Sequence, residues 1–120
     1  TVGIISECRS LRMALDTILT CESQGQVEKV YEWMTDDLKA EQQIDVSDPH
    51  ILIVDLDYLN LSTAKLLTLL RRKFKYAKLL LLLGERKFDT RLIPTYQIDK
   101  ILKRTSSETE LVAAVQSCTA

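Results

Sequence analysis

Residues 51–54, Ile-Leu-Ile-Val, are apolar at every position, and an aspartate, Asp55, follows them directly. A strand with one face in water alternates apolar and polar side chains, whereas a strand that is apolar throughout is buried on both faces. Such strands belong to parallel sheets covered by helices, and these sheets bind ligands at the carboxyl ends of their strands. Asp55 is therefore a candidate site residue. The alternative is that Asp55 and the nearby Asp57 only end the strand or cap a turn.

Short apolar segments alternate with helical patterns along the rest of the chain. The predicted strands are residues 2–6, 27–31, 51–54, 78–83 and 98–102. Helical spacing of apolar residues predicts helices that begin near Leu11, Trp33 and Leu61. A capping box, formed by Ser107 and Glu110, opens a last helix.

Strands that alternate with helices predict an α/β fold with a doubly wound parallel sheet. Right-handed crossovers leave few arrangements, and we expect the flavodoxin-like strand order 2-1-3-4-5. Residues 85–96 carry Pro94 and have poor periodicity, so the fourth helix is expected to be short, irregular or absent.

Composition narrows the class of protein. The 120 residues fit one domain, and we expect it to be excised from a longer protein because the chain begins with Thr1. Sixteen basic and seventeen acidic residues give a net charge of -1, which argues against direct binding of nucleic acid or membrane. Aromatic and basic residues do interleave between Arg71 and Phe88, but the small net charge argues against a nucleic-acid surface there. The three cysteines lack CxxC spacing, which indicates reduced thiols. The sequence contains neither a signal sequence nor a membrane-spanning segment, and together these features predict a cytoplasmic protein.

Enzymatic activity is not expected. The sequence contains no GxGxxG, no GxxxxGK[ST] and no nucleophile elbow, and its single histidine, His50, stands at the start of a strand. An acid, Glu7, follows the first strand, where it would repel the phosphate of a flavin.

Residues 49–56, Pro-His-Ile-Leu-Ile-Val-Asp-Leu, resemble the third strand of the receiver domains of two-component signalling, and the resemblance covers nearly the whole chain. It places Asp55 on the phospho-accepting aspartate, Lys103 on the lysine that pairs with the phosphoryl group, and Glu7 on one of two acids after the first strand. Residues 103–111 are similar to receivers attached to a LuxR-type helix-turn-helix domain.

The resemblance implies a Mg²⁺ site formed by Glu7, Asp55 and, from the loop, Asp57. Ser6 stands where the family has its first acid, and a neutral hydroxyl competes poorly with water for a hard cation. We therefore expect Mg²⁺ binding to be weak or absent.

The residues that transmit phosphorylation also depart from the family pattern. Leu83 replaces the hydroxyl residue at the end of the fourth strand, and Lys100 replaces the aromatic residue three positions before Lys103. Leucine cannot donate a hydrogen bond to a phosphoryl oxygen, and lysine cannot act as the aromatic switch.

These departures favour an atypical receiver, or pseudo-receiver, that regulates an attached output or kinase domain by protein contacts, with weak or no phosphorylation. Two alternatives stay open. One is a phosphorylatable receiver of a DNA-binding response regulator, with Asp55 as acceptor, and the other is a structural dimerisation module. The expected partners are a histidine kinase or phosphotransfer domain, the attached domain and a second copy of the chain. DNA is expected to be contacted only through a domain outside these residues.

Overall fold

The described residues form one sheet of five parallel strands, in which the first strand of the chain lies between the second and the third, and the fourth and fifth follow the third. The computed structural model describes residues 2–22, 30–33, 50–56, 62–84, 88–103 and 105–119. The elements are β1 Val2–Ile5, α1 Arg9–Glu22, β2 Val30–Trp33, β3 Ile51–Asp55, α2 Thr63–Lys73, β4 Lys78–Leu83, α3 Leu92–Tyr96, β5 Ile98–Lys103 and α4 Glu108–Thr119. The predicted fold class and strand order are confirmed, and the helix before β5 is short, as expected.

The sheet separates two apolar layers. On one face, α1 and α4 pack on a cluster that includes Ile4, Ile53 and Leu80. On the other face, α2 and α3 pack on a cluster that includes Ile5, Leu52 and Leu81. Alternate residues of each strand thus enter opposite layers, which explains why β3 is buried at every position.

The helix ends follow local hydrogen bonds that the sequence encodes. Ser62 caps α2, since its Oγ accepts a hydrogen bond from the backbone N–H of Lys65 at 3.3 Å. At the start of α4, the N–H of Glu110 donates to Ser107 Oγ at 3.2 Å, and that hydroxyl donates to Glu110 Oε1. Ser107 therefore caps the helix as predicted, but Glu110 accepts from the Ser107 hydroxyl and not from its backbone N–H, so only half of a capping box is formed.

The last pair of strands contains an irregularity. The register of β4 against β5 shifts between Leu79 and Leu80, so one backbone donor loses its regular partner. The side chain of Asp99 replaces the missing carbonyl, because its Oδ2 accepts the N–H of Leu79 at 3.0 Å. Asp99 is consequently a structural residue of the sheet.

Among the described residues no helix has the length and apolar character needed to traverse a membrane. All three cysteines, Cys8, Cys21 and Cys118, are free thiols. Cys118 lies in the apolar layer beneath α4, and burial raises its pKa, with Asp99 acting in the same direction.

Trp33 ends β2, whereas the sequence pattern predicted that a helix begins there. The remainder of that predicted helix, residues 34–40, lies outside the described residues, as do residues 27–29 of the predicted second strand. The indole stacks on Tyr31 and on Phe74, with ring centroids 5.6 Å apart in each case. Trp33 therefore packs against the apolar layer that contains α2.

The Trp33 ring leaves no room for a side chain at Gly3. A Cβ at Gly3 would lie 2.5 Å from Trp33 Cζ3 and 2.8 Å from Leu52 Cδ2. We predict that Gly3→Ala destabilises the fold by about 1–3 kcal/mol through overpacking, measured by chemical denaturation. Replacing Trp33 by Val in the same chain should recover part of that loss. A purely additive double mutant would contradict the steric explanation.

Candidate functional site

Asp55 and Ser6 meet at the carboxyl edge of the sheet, and both have 0% exposure to solvent. The register pairs Ile5 with Val54, so the residues that follow these two positions are brought side by side. Ser6 Oγ donates a hydrogen bond to Asp55 Oδ2 at 2.7 Å. Ser6 Oγ also accepts a hydrogen bond from the backbone N–H of Cys8 at 3.0 Å. The hydroxyl thus links the aspartate to the first turn before α1.

Arg12 supports this pair from α1, and sequence reasoning missed it. Its Nη1 donates to the carbonyl oxygen of Ser6 at 2.5 Å, and its Nε lies 3.8 Å from Glu32 Oε1. Partial burial raises the pKa of Glu32, a hydrogen bond with Asp16 raises it further, and the charge of Arg12 opposes both effects. The available signal was the position of Arg12 in the first turn of the helix that follows β1.

Lys103 lies at the exposed end of β5, opposite Leu83 of β4. Asp55 pairs in register with Leu82, which pairs in turn with Leu102, so Lys103 lies one residue beyond the row that contains Asp55. The sheet therefore brings Lys103 to the edge at which Asp55 lies, one residue further along.

Two of the three predicted Mg²⁺ ligands, Glu7 and Asp55, lie among the described residues. Glu7 is half-buried in the bend after β1, and Asp57 lies outside the described residues. No group of three or more histidine, cysteine or acidic side chains that could hold a metal occurs in the described part of the chain. One oxygen of Asp55 already accepts the Ser6 hydroxyl, which brings no negative charge to the position.

The two switch positions lie in different surroundings. Leu83 is half-buried and packs against the apolar layer that contains α2. Lys100 is exposed on β5, in register with Leu80. Neither side chain is of a type that could link a phosphoryl group at Asp55 to a rotating aromatic ring.

Solved structures with this architecture match the chain along 98% of its length. A CheY-like response regulator from Mesorhizobium loti has a TM-score of 0.72 and 22% identity, and the match covers 96% of that protein. The fold is that of response-regulator receiver domains. No protein-family model matches the sequence, and no curated protein matches it.

The receiver fold also occurs in proteins of other kinds. An adenylate cyclase from Rhodopirellula baltica has a TM-score of 0.75 and 14% identity, with 84% of that chain covered. Full-length FixJ from B. japonicum has a TM-score of 0.66 and 15% identity. The match covers only 56% of the FixJ chain, so the receiver fold there is one part of a longer protein.

The buried hydrogen bond between Ser6 and Asp55 generates a stability prediction. Ser6→Ala removes a donor from Asp55 and an acceptor from the Cys8 N–H, and unsatisfied buried groups cost about 1–3 kcal/mol. We expect the free energy of unfolding to fall by that amount in denaturant titrations. Ser10→Ala, an exposed serine of α1, is the matched control and should change stability by less than about 0.5 kcal/mol. Equal stability of the two variants would contradict the assignment.

Proposed function

We propose that the chain is a pseudo-receiver that regulates an attached output or kinase domain through protein contacts and without catalysis of its own. Phosphorylation of Asp55 is weak or absent in this proposal. The buried hydrogen bond from Ser6 to Asp55 is the observation that carries it.

The first support is the state of the acceptor. A phosphoryl group transferred to an aspartate needs a nearby cation to offset its charge, and receivers bind that cation with carboxylate ligands. Here a neutral hydroxyl takes the place of one acid and binds the acceptor directly. Complete burial of Asp55 adds a second obstacle, because a phosphodonor must reach the carboxylate oxygen.

The second support is the absence of suitable chemistry at the switch positions. A modification alters a surface only if it favours one of two arrangements of the protein. Leu83 is held in the apolar layer and offers no hydroxyl, and Lys100 is exposed and offers no ring. A phosphoryl group at Asp55 would thus lack the groups that report its presence.

The third support is the fold itself. In full-length FixJ the receiver fold occupies about half of the chain, with 56% covered by the match. A domain of this fold can therefore be one part of a longer chain, and in this proposal it regulates through contacts with the attached domain or with a second copy. Transcription regulation would follow if the attached domain binds DNA, and a histidine kinase or phosphotransfer partner would remain compatible with docking alone.

A phosphoryl analogue provides the direct test. We expect beryllofluoride with Mg²⁺ to produce no saturable change in amide chemical shifts around Asp55 at millimolar concentration. Ser6→Asp restores the missing acid and should raise the affinity for Mg²⁺ by about tenfold, because affinity rises with the number of charged ligands. NMR titration measures both quantities.

Asp55→Asn is the control for this experiment, since it removes the acceptor and keeps the shape of the side chain. A saturable response of the unmodified chain that disappears in Asp55→Asn, and that spreads to Leu83 and Lys100, would overturn the proposal. That result would identify a phosphorylatable receiver. Light scattering with and without Mg²⁺ separately measures self-association, which the proposal expects to be independent of the ion.

A further inference from the structure

The small net charge of the chain conceals a strong separation of charge along the sequence. Residues 58–84 contain six basic residues and no acidic residue. The other 93 residues contain ten basic and seventeen acidic residues. The basic stretch includes α2, the connection to β4 and β4 itself, so its charge is concentrated on neighbouring elements.

The centre of this stretch is the Tyr76 turn, defined here as residues 72–78. It joins the end of α2 to the start of β4. Tyr76 is 90% exposed, the highest value among the exposed large apolar side chains of the described residues. Arg72, Lys75 and Lys78 in the same turn are exposed as well. Phe74 is buried, so the turn has one aromatic residue in the core and one in solvent.

Arg71 holds the turn in place. Its Nη1 donates to the carbonyl oxygens of Ala77 at 2.6 Å, Lys75 at 3.3 Å and Phe74 at 3.4 Å. Its Nε and Nη2 donate to the carbonyl oxygens of Tyr96 and Gln97 at 2.8 and 2.9 Å. The guanidinium therefore fixes the backbone of the turn against the junction of α3 and β5.

A helix dipole accounts for only part of this arrangement. Positive charge at the end of α2 is favourable. Arg71 already provides such a charge there, because its guanidinium donates to the carbonyl oxygen of Phe74. The dipole gives no reason for the exposed basic residues that follow the helix, Lys75 and Lys78, or for an exposed tyrosine at position 76. A rigid turn that presents an aromatic ring among exposed cations has the composition of a binding surface.

We propose that the Tyr76 turn docks reversibly on a membrane surface that contains anionic lipids. Each basic residue near such a surface contributes through attraction to the headgroups, and a tyrosine ring prefers the boundary between headgroups and hydrocarbon. The proposal goes beyond the regulatory function above and does not depend on it. It concerns attachment to a surface and involves no spanning segment.

The shape of the turn favours a membrane over nucleic acid. Single-stranded nucleic acids bind in basic grooves that contain several stacking aromatic residues. A protruding turn with one exposed ring fits a flat surface better. Seventeen acids lie among the other residues, and one of them, Asp99, adjoins the turn, where it accepts the N–H of Leu79. Acids more than about 8–10 Å from a docked turn are screened by salt.

The sequence-based prediction against a membrane partner rested on the net charge of the whole chain. A net charge treats the charge as uniform and does not detect a local basic stretch. The turn also lies at the amino end of β4, whereas Asp55 lies at the carboxyl edge of the same parallel sheet. Docking through the turn would therefore leave the Asp55 edge facing away from the lipid.

Vesicle sedimentation tests the proposal. Vesicles of phosphatidylcholine with about one third phosphatidylserine should bind the 120-residue chain at about 0.1 M salt, and pure phosphatidylcholine vesicles should not. Raising the salt to about 1 M should abolish binding. Lys75→Glu changes the charge by two and should lower the affinity by about thirtyfold. Tyr76→Ala should weaken binding, Tyr76→Trp should restore it, and the new indole should show a blue-shifted emission.

Lys65→Glu is the matched control. It makes the same change of charge on α2, eight residues before the last residue of that helix and hence about 12 Å from it along the helical rise, and should alter affinity by less than about twofold. Equal losses for Lys65→Glu and Lys75→Glu would overturn the proposal. Tighter binding of a single-stranded oligonucleotide at the same salt, or full binding by Tyr76→Ala, would overturn it as well. Circular dichroism confirms that each variant is folded.

Arg71→Met tests whether the turn is preorganised. Loss of the guanidinium should weaken vesicle binding by more than loss of its single charge, because the turn is no longer held against Tyr96 and Gln97. Arg72→Met removes the same charge from an exposed neighbour and should lower affinity by about fivefold. If the two variants bind equally, the hydrogen bonds of Arg71 have no part in docking. If Arg72→Met binds like the unmodified chain, the electrostatic basis of the proposal fails.

Discussion

Burial of the sheet on both faces is the constraint on which the rest of the structure depends. Every residue of β3 is buried, so any polar group that enters this layer must find a partner inside the protein. Among the described residues, only Ser6 and Asp55 are buried and polar or charged, and they bind each other. The hydrogen bond between them is thus a requirement of the core as well as a feature of the site.

The elements could be predicted because each depends on a short pattern. Apolar runs define the strands, and caps at Ser62 and Ser107 define two helix starts. The error at Trp33 arose because an aromatic residue before polar ones suits a helix start or a strand end, and the choice is made by a contact distant in sequence. Trp33 stacks on Phe74, and Gly3 yields the space that the ring occupies.

The site was only partly accessible to the same reasoning. The apolar run placed Asp55 at the carboxyl edge of the sheet, and the resemblance to receiver domains implied that Glu7 and Lys103 lie at the same edge. They did not reveal which atoms meet. The register of β1 against β3 places Ser6 where it can donate to Asp55. The register of β4 against β5 places Lys103 one residue beyond the row that contains Asp55.

The side chains of Arg71 and Ser6 both stabilise turns by hydrogen bonds at the ends of the sheet. A guanidinium at the end of α2 has five donors, and backbone carbonyls from the adjacent turn and from Tyr96 and Gln97 accept them. A hydroxyl at the end of β1 bridges Asp55 and the turn before α1. Signalling by modification needs an element with two arrangements of similar energy, whereas docking benefits from surfaces that are already ordered. Hydrogen bonds that fix both ends of the sheet therefore favour a domain that acts through the surfaces it presents.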